Sequence, residues 1–207
     1  MKQSKTNKKF IYLISPNKIK SEDFYLNLAL VLKTRKVSFF QLRLKKETTR
    51  NKLVIGKKIK IICKKYKVKF LINDDPLLAQ KLNADGCHLG QKDMDVLEAR
   101  KILKNKIIGV ACHNSINLAK RANEAGADYL AFGAFYATKT KIVKYRASLT
   151  VLKSIKKITS TPIVAIGGIK LSNYKKLLLN KANFLAISGY IWNNKKYKPL
   201  EAIKKLK

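Results

Sequence analysis

Along this chain short, largely apolar runs alternate with longer stretches in which apolar residues recur every three or four positions. The short runs, at residues 10–15, 37–45, 68–74, 86–90, 106–113, 129–135, 162–166 and 184–188, predict strands. The periodic stretches predict helices over residues 21–33, 48–66, 76–82, 95–103, 116–125, 148–158, 172–179 and 199–206. Ser21 reads as the N-cap of the first helix, and Asp75 followed by Pro76 as the start of the third. Strands apolar on both faces are those of a parallel sheet covered by helices. Eight strand-then-helix units are the count of a closed barrel. An open doubly wound sheet would carry a Gly-rich turn after its first strand, and Ser15-Pro16-Asn17-Lys18 is not one. The expected fold is therefore α/β, a single-domain (β/α)8 TIM barrel over residues 10–207. A basic tail over residues 1–9 precedes it.

Composition narrows the picture. The 207 residues suit one barrel, since such domains run to about 200–250 residues. An apolar share of 46% is that of a globular protein rather than a disordered one. No apolar run approaches the roughly 18 residues that cross a bilayer, and no signal-peptide core follows MKQSKTNKKF. Cys63, Cys87 and Cys112 form no C-x-x-C pair and read as reduced thiols of a cytoplasmic protein. The net charge of +34 is extreme, but the lysines are spread over what read as outer helix faces, as in Lys57, Lys60, Lys64 and Lys67. They form no patch interleaved with aromatics. That argues against a nucleic-acid partner and for a general drift of charge, part of whose field can steer phosphorylated substrates. A homo-oligomer stays open.

Candidate chemistry falls at the carboxyl ends of the expected strands, where barrels place their active sites. Only twelve residues are acidic, yet Asp74, Asp75 and Asp93 all stand just beyond strand-like runs. Asp75 reads as a helix cap. Asp74 and Asp93 read as ligands of a hard cation such as Mg2+, which takes one or two carboxylates together with substrate phosphates. A purely structural role for the pair is the alternative. In the second strand Gln41, Arg43 and Lys45 share one face, and Phe40, Leu42 and Leu44 share the other. Inward cations are costly unless they meet an anion, and Arg with Lys suits phosphate. Thr138-Lys139-Thr140-Lys141 supplies hydroxyls and ammonium groups beyond the sixth strand. Gly167-Gly168 and Ile187-Ser188-Gly189 end the last two strands, where glycines let backbone amides approach a phosphate. His88 and His113 read as structural.

Taken in order, QLRLK, INDD, ADGCHLGQKD, GADYLAFGAFYATKTK and PIVAIGGI resemble the thiamine-phosphate synthase family over about residues 10–195. The resemblance implies a (β/α)8 barrel that joins a pyrimidine-methyl diphosphate to a thiazole phosphate with Mg2+. It implies Asp74 and Asp93 as Mg2+ ligands, and Arg43, Lys45 and Lys141 as the catalytic cations on the leaving pyrophosphate. Gln41 and Asn73 would hold the aminopyrimidine. Thr138, Thr140, Gly168, Ile187 and Ser188 would hold the thiazole phosphate. The chain departs from the family at Ala111, where Ser is usual, and at Ala134, where Pro is usual. It also lacks the customary Gly in IVKYRASL. The competing readings are a thiazole tautomerase of the same fold, which typically lacks the metal carboxylates and the T-x-T-K loop, and a non-catalytic basic barrel that binds nucleic acid.

Overall fold

A computed structural model of the chain describes residues 9–138 and 143–206. Its strands are β1 (Ile11–Ile14), β2 (Val37–Leu42), β3 (Lys69–Asn73), β4 (Gly86–Leu89), β5 (Ile107–His113), β6 (Tyr129–Gly133), β7 (Ile163–Ile166) and β8 (Phe184–Ile187). The helices are α1 (Asp23–Lys33), α2 (Thr49–Lys65), α3 (Pro76–Lys81), α4 (Val96–Leu103), α5 (Ile116–Glu124), α6 (Leu149–Lys156), α7 (Tyr174–Leu179), α8 (Gly189–Trp192) and α9 (Pro199–Lys205). The strands pair in sequence order, all parallel, and β1 pairs with β8, so the sheet closes into the expected barrel. The basic tail lies outside the described residues except for Lys9, whose carbonyl accepts from Ser38 Oγ at 2.9 Å. Among the described residues no helix is long and apolar enough to cross a membrane.

The strand period of two sorts the core into two layers. Ile11 and Leu13, Phe40 and Leu42, Phe70 and Ile72, Cys87 and Leu89 face outward into the shell beneath the helices. Tyr12, Ile14, Leu71, Tyr129, Ala131, Val164 and Ala186 face inward and fill the barrel, with Phe39, Ile107, Ile166 and Phe184 packed on them. At this scale a barrel interior is a packed core and not a pore.

A repeated clamp ties the amino-terminal ends of the strands. Asp85, Asp128 and Asn183 each follow an alanine and immediately precede an even-numbered strand. Their side-chain oxygens accept from the backbone N–H groups of Phe70, Ile108 and Ile163 at 2.8, 2.7 and 2.8 Å, at the starts of the neighbouring odd-numbered strands. Each clamp satisfies a donor that the sheet ladder leaves open.

Three expectations need correction. Ser21 does not cap α1: the N-cap is Glu22, with no side-chain bond, and Ser21 offers only its carbonyl to Phe24 N. Strand β2 stops at Leu42 rather than continuing to residue 45, because the chain turns away beyond it. A short helix, α8, follows β8 where none was expected.

Candidate active site

Gln41 is the last inward residue of β2 and is 2% exposed. A buried amide needs partners. Its Nε2 donates to Oδ1 of Asn73, the last residue of β3, at 2.8 Å. The two amides therefore form one polar platform over the apolar barrel interior. Arg43 and Lys45 lie past the end of β2, so they reach the mouth from a loop rather than from a pleated strand. Arg43 is half-buried, and its Nη1 lies a long 3.4 Å from Asn17 Oδ1. Burial lowers the pKa of its guanidinium, while the negative field of Asp74 opposes that shift. Lys45 Nζ pairs with Asp74 Oδ2 at 3.0 Å.

The acidic side of the site lies beside these cations, at the ends of β3 and β4. Asp74 takes a left-handed backbone conformation, φ 67°, which Asp tolerates better than most residues. Such conformations persist where the surroundings hold them, and they cluster at functional sites. Here the Asp74 N–H is held by the carbonyl of His88 at 2.7 Å. Asp93 Oδ2 accepts from Gly90 N at 2.7 Å, which folds the loop after β4 back toward β3. Burial pushes the Asp93 carboxyl up. The Asp74 carboxyl within hydrogen-bonding reach pushes the same way, while Gly90 N–H and Lys45 pull down. A groove of about 510 Å3, lined by Lys45, Lys52, Asn73, Asp74 and Met94 among others, borders this pair.

Asp75 is set apart from its neighbour as expected. Its Oδ1 accepts from Leu78 N at 2.8 Å, and Pro76 takes the first position of α3. Asp75→Ala is expected to lower stability by about 1 kcal/mol, the usual worth of such a cap, as read in urea denaturation. Turnover should fall far less than in Asp74→Ala. Equal losses of activity from the two variants, with stability unmoved, would count against this division of roles.

The opposite rim is built by the ends of β6, β7 and β8. Gly168 takes φ 61°, and a Cβ there would collide with the Ala137 carbonyl. Only glycine allows this close approach between the two loops. Asn173 secures the turn: its Nδ2 donates to Gly168 O at 3.0 Å and its Oδ1 accepts from Lys170 N at 2.8 Å. Thr138 stands at the last described position before the gap, and Thr140 and Lys141 lie outside the described residues. Ser188 Oγ donates to Ser15 O at 3.0 Å. Ile187 has outward parity on β8 and is 1% exposed, so its side chain belongs to the shell beneath the helices and its backbone is what faces the mouth.

Several residues were not singled out from sequence. Ser15, 1% exposed, accepts from Arg43 N at 2.9 Å through its Oγ and binds Ser188 through its carbonyl, so it joins the ends of β1, β2 and β8. Its position at a strand end was the one available signal. Gln91 Nε2 donates to the carbonyl of Ala111 at 2.6 Å, bracing the loop that carries Asp93. His88 Nδ1 lies 2.9 Å from the Tyr129 hydroxyl, and His113 stacks on Tyr145 at 4.4 Å, so both histidines have structural contacts. Among the described residues no three His, Cys, Asp or Glu side chains gather to hold a metal.

With this geometry in view, the chain can be set beside known proteins. Residues 11–191 match the profile of the thiamine monophosphate synthase family. The chain is 85% identical to a thiamine-phosphate synthase of Pelagibacter ubique (strain HTCC1062) over 100% of both sequences. It is 40% identical to a thiamine-phosphate synthase of Nitrosomonas eutropha, over 88% of this chain and 86% of that one. The solved structure of thiamine phosphate pyrophosphorylase from Pyrococcus furiosus superposes with a TM-score of 0.83 at 28% identity, covering 97% of this chain and 94% of that one. The chain belongs to the thiamine monophosphate synthase family.

Proposed function

We propose that the chain joins a pyrimidine-methyl diphosphate to a thiazole phosphate, giving thiamine phosphate and pyrophosphate. This is the activity of a thiamine-phosphate synthase, a transferase. The full-length likeness to the Pelagibacter relative carries the reading. The site supports it, because it pairs an amide platform for a heterocycle with cations and carboxylates for a diphosphate. Gln41 and Asn73 offer donors and acceptors to the aminopyrimidine edge. The C–O bond between methylene and diphosphate breaks, and its electron pair leaves on the diphosphate oxygen. The aminopyrimidine stabilises the methylene cation that remains. The thiazole nitrogen, held nearby, then donates its lone pair to form the new C–N bond. Neither step asks the protein for a strong base or a nucleophile. Arg43, Lys45 and Lys141 stabilise the charge growing on the departing group. Thr138, Thr140, Gly168 and Ser188 hold the thiazole phosphate, and Ile187 contributes through its backbone.

Asp74 and Asp93 fit Mg2+. Two carboxylates within reach of one another, one of them pushed up in part by the other, are a donor set that a hard cation relieves. Phosphate oxygens and water would complete its shell. Mg2+ held there would supply charge neutralisation on the diphosphate. Cytoplasmic placement fits the three cysteines, all free and buried.

The test is direct. Purified protein is incubated with both phosphorylated precursors and Mg2+, and thiamine phosphate is followed by mass spectrometry. Product is expected, lost on chelation with EDTA and regained on adding Mg2+. A folded protein that forms none overturns the activity. Turnover indifferent to EDTA overturns the metal assignment alone.

A further inference from the structure

The barrel carries a second cationic cavity at its amino-terminal face, the end opposite the active site. It lies between the last turns of α2, the start of β3 and the segment entering β5, and its volume is about 630 Å3. Lys60, Lys64, Lys67, Lys69 and Lys106 line it, and Asp85 is the only carboxylate among the lining residues. That carboxylate is already engaged, with Oδ1 on Lys69 Nζ at 3.0 Å and Oδ2 on Phe70 N at 2.8 Å. Lys106 is anchored inward, its Nζ donating to Ala84 O at 2.8 Å and Asn83 Oδ1 at 2.5 Å. Burial, and then repulsion from Lys60, lowers its pKa, while Asp85 acts against the shift.

Two further features bear on an anion. Lys67 occupies the position after α2 in the left-handed conformation, φ 54°, where glycine is the favoured residue. Arg35, Lys104 and Lys181 do the same after other helices, so the feature is a shared helix ending, and Lys67 counts here as one more cation lining the cavity. The carbonyls at the end of α2 would repel an anion. Those of Cys63 and Lys64 are, however, engaged by Val68 N at 3.0 Å and Lys67 N at 3.2 Å. Lys60 and Lys64 on α2, Lys67 after it and Lys106 before β5, with Lys69 offset by Asp85, together outweigh what remains of that field.

We infer that this cavity binds a short chain of phosphate groups, as found in tripolyphosphate or the triphosphate of a nucleotide. Each phosphate offers several acceptors to ammonium donors, and the charge of such a chain matches the lysine excess. Strand β3 runs from this cavity at Lys69 to the amide platform at Asn73, roughly 13 Å at the usual strand rise. An anion here touches no reacting atom, so its binding is separable from the synthase activity.

Calorimetric titration of the full chain with tripolyphosphate, in metal-free buffer at physiological salt, tests the proposal. The Arg43→Gln/Lys45→Gln protein, whose active-site cations are reduced, is expected to retain binding. Adding Lys60→Gln/Lys64→Gln should then weaken it by about tenfold or more, the effect of losing charged hydrogen bonds. Adding Lys153→Gln/Lys157→Gln, which removes the same charge from α6 and its C-cap, should leave it unchanged. Lys60→Gln/Lys64→Gln alone should keep full turnover. Loss of all binding in Arg43→Gln/Lys45→Gln, or equal weakening by the two lysine pairs, overturns the site. ATP binding more tightly than tripolyphosphate would assign the nucleotide, and ATP binding no more tightly would assign the phosphate chain itself. Orthophosphate binding as tightly as either would overturn the requirement for a phosphate chain.

Discussion

Asp93→Asn is expected to reduce kcat/KM by about three orders of magnitude, the scale on which electrostatic stabilisation of a developing charge acts. Its melting temperature should be unchanged or higher. The two halves of this prediction have one cause. Asp93 Oδ2 accepts from Gly90 N, and an asparagine oxygen can do the same, so the loop after β4 keeps its form. What disappears is a negative charge that the folded protein holds against burial and against Asp74. The folded-state pKa of this carboxyl is raised, so in metal-free buffer its contribution falls as pH climbs through the window between the unfolded and folded values. Above that window the native aspartate is a cost, and Asn removes it. The stability difference between the two proteins should therefore shrink on acidification. Under the proposed metal role, the charge is retained for the diphosphate chemistry, a common trade between stability and activity. Steady-state kinetics and thermal melts at several pH values decide the matter. Wild-type kcat/KM in Asp93→Asn, or a melting temperature several degrees lower, would refute the assignment.

Much of this site was legible because strand periodicity and barrel logic act locally. The alternation in QLRLK placed Gln41 inward before any partner was known, and Asn73 bonds it from the same layer. The dipeptide Asp75-Pro76 separated a cap from a candidate ligand, and the N-cap bond to Leu78 N agrees. What sequence left hidden depends on distant partners. Ser15 matters through Arg43 and Ser188, the latter 173 positions away, and nothing local marks such a bond. Ser21 had the right chemistry for a cap, but the chain makes one more turn before α1 begins at Asp23. Ile187 shows how parity refines a likeness. The likeness names the residue as a phosphate contact, and the strand period sends its side chain outward, which leaves the backbone for that role. The alternation of QLRLK extends the strand to Lys45, whereas β2 ends at Leu42, so Arg43 and Lys45 stand on the loop beyond it.

The largest stability effect is expected beneath the site, at Gly109. This residue has inward parity on β5 and pairs in register with Tyr129 of β6. A Cβ at Gly109 would fall inside the Tyr129 ring. That ring has little room to withdraw. It meets Tyr12 edge-on at 5.7 Å, lies tilted on Phe39 at 6.3 Å and stacks on His88 at 5.7 Å. Its hydroxyl bonds Tyr12 OH at 2.8 Å and His88 Nδ1 at 2.9 Å. Gly109→Ala must displace the ring and break at least one of these bonds in a dry interior. Overpacking costs about 1–3 kcal/mol and a buried polar group left unpaired about as much again, so a loss near 4 kcal/mol is expected. That is a large share of the roughly 5–15 kcal/mol that holds a domain together. Tyr129→Leu, which removes the obstructing ring, should be costly alone yet should make Gly109→Ala much milder. The double-mutant cycle in urea should show at least about 2 kcal/mol of coupling, and strict additivity would rule the clash out. Activity should track the damage as well. His88 is paired with Asn73 across β4 and β3 and accepts the Asp74 N–H, so a ring displaced in the interior also disturbs the carboxylate and amide above it.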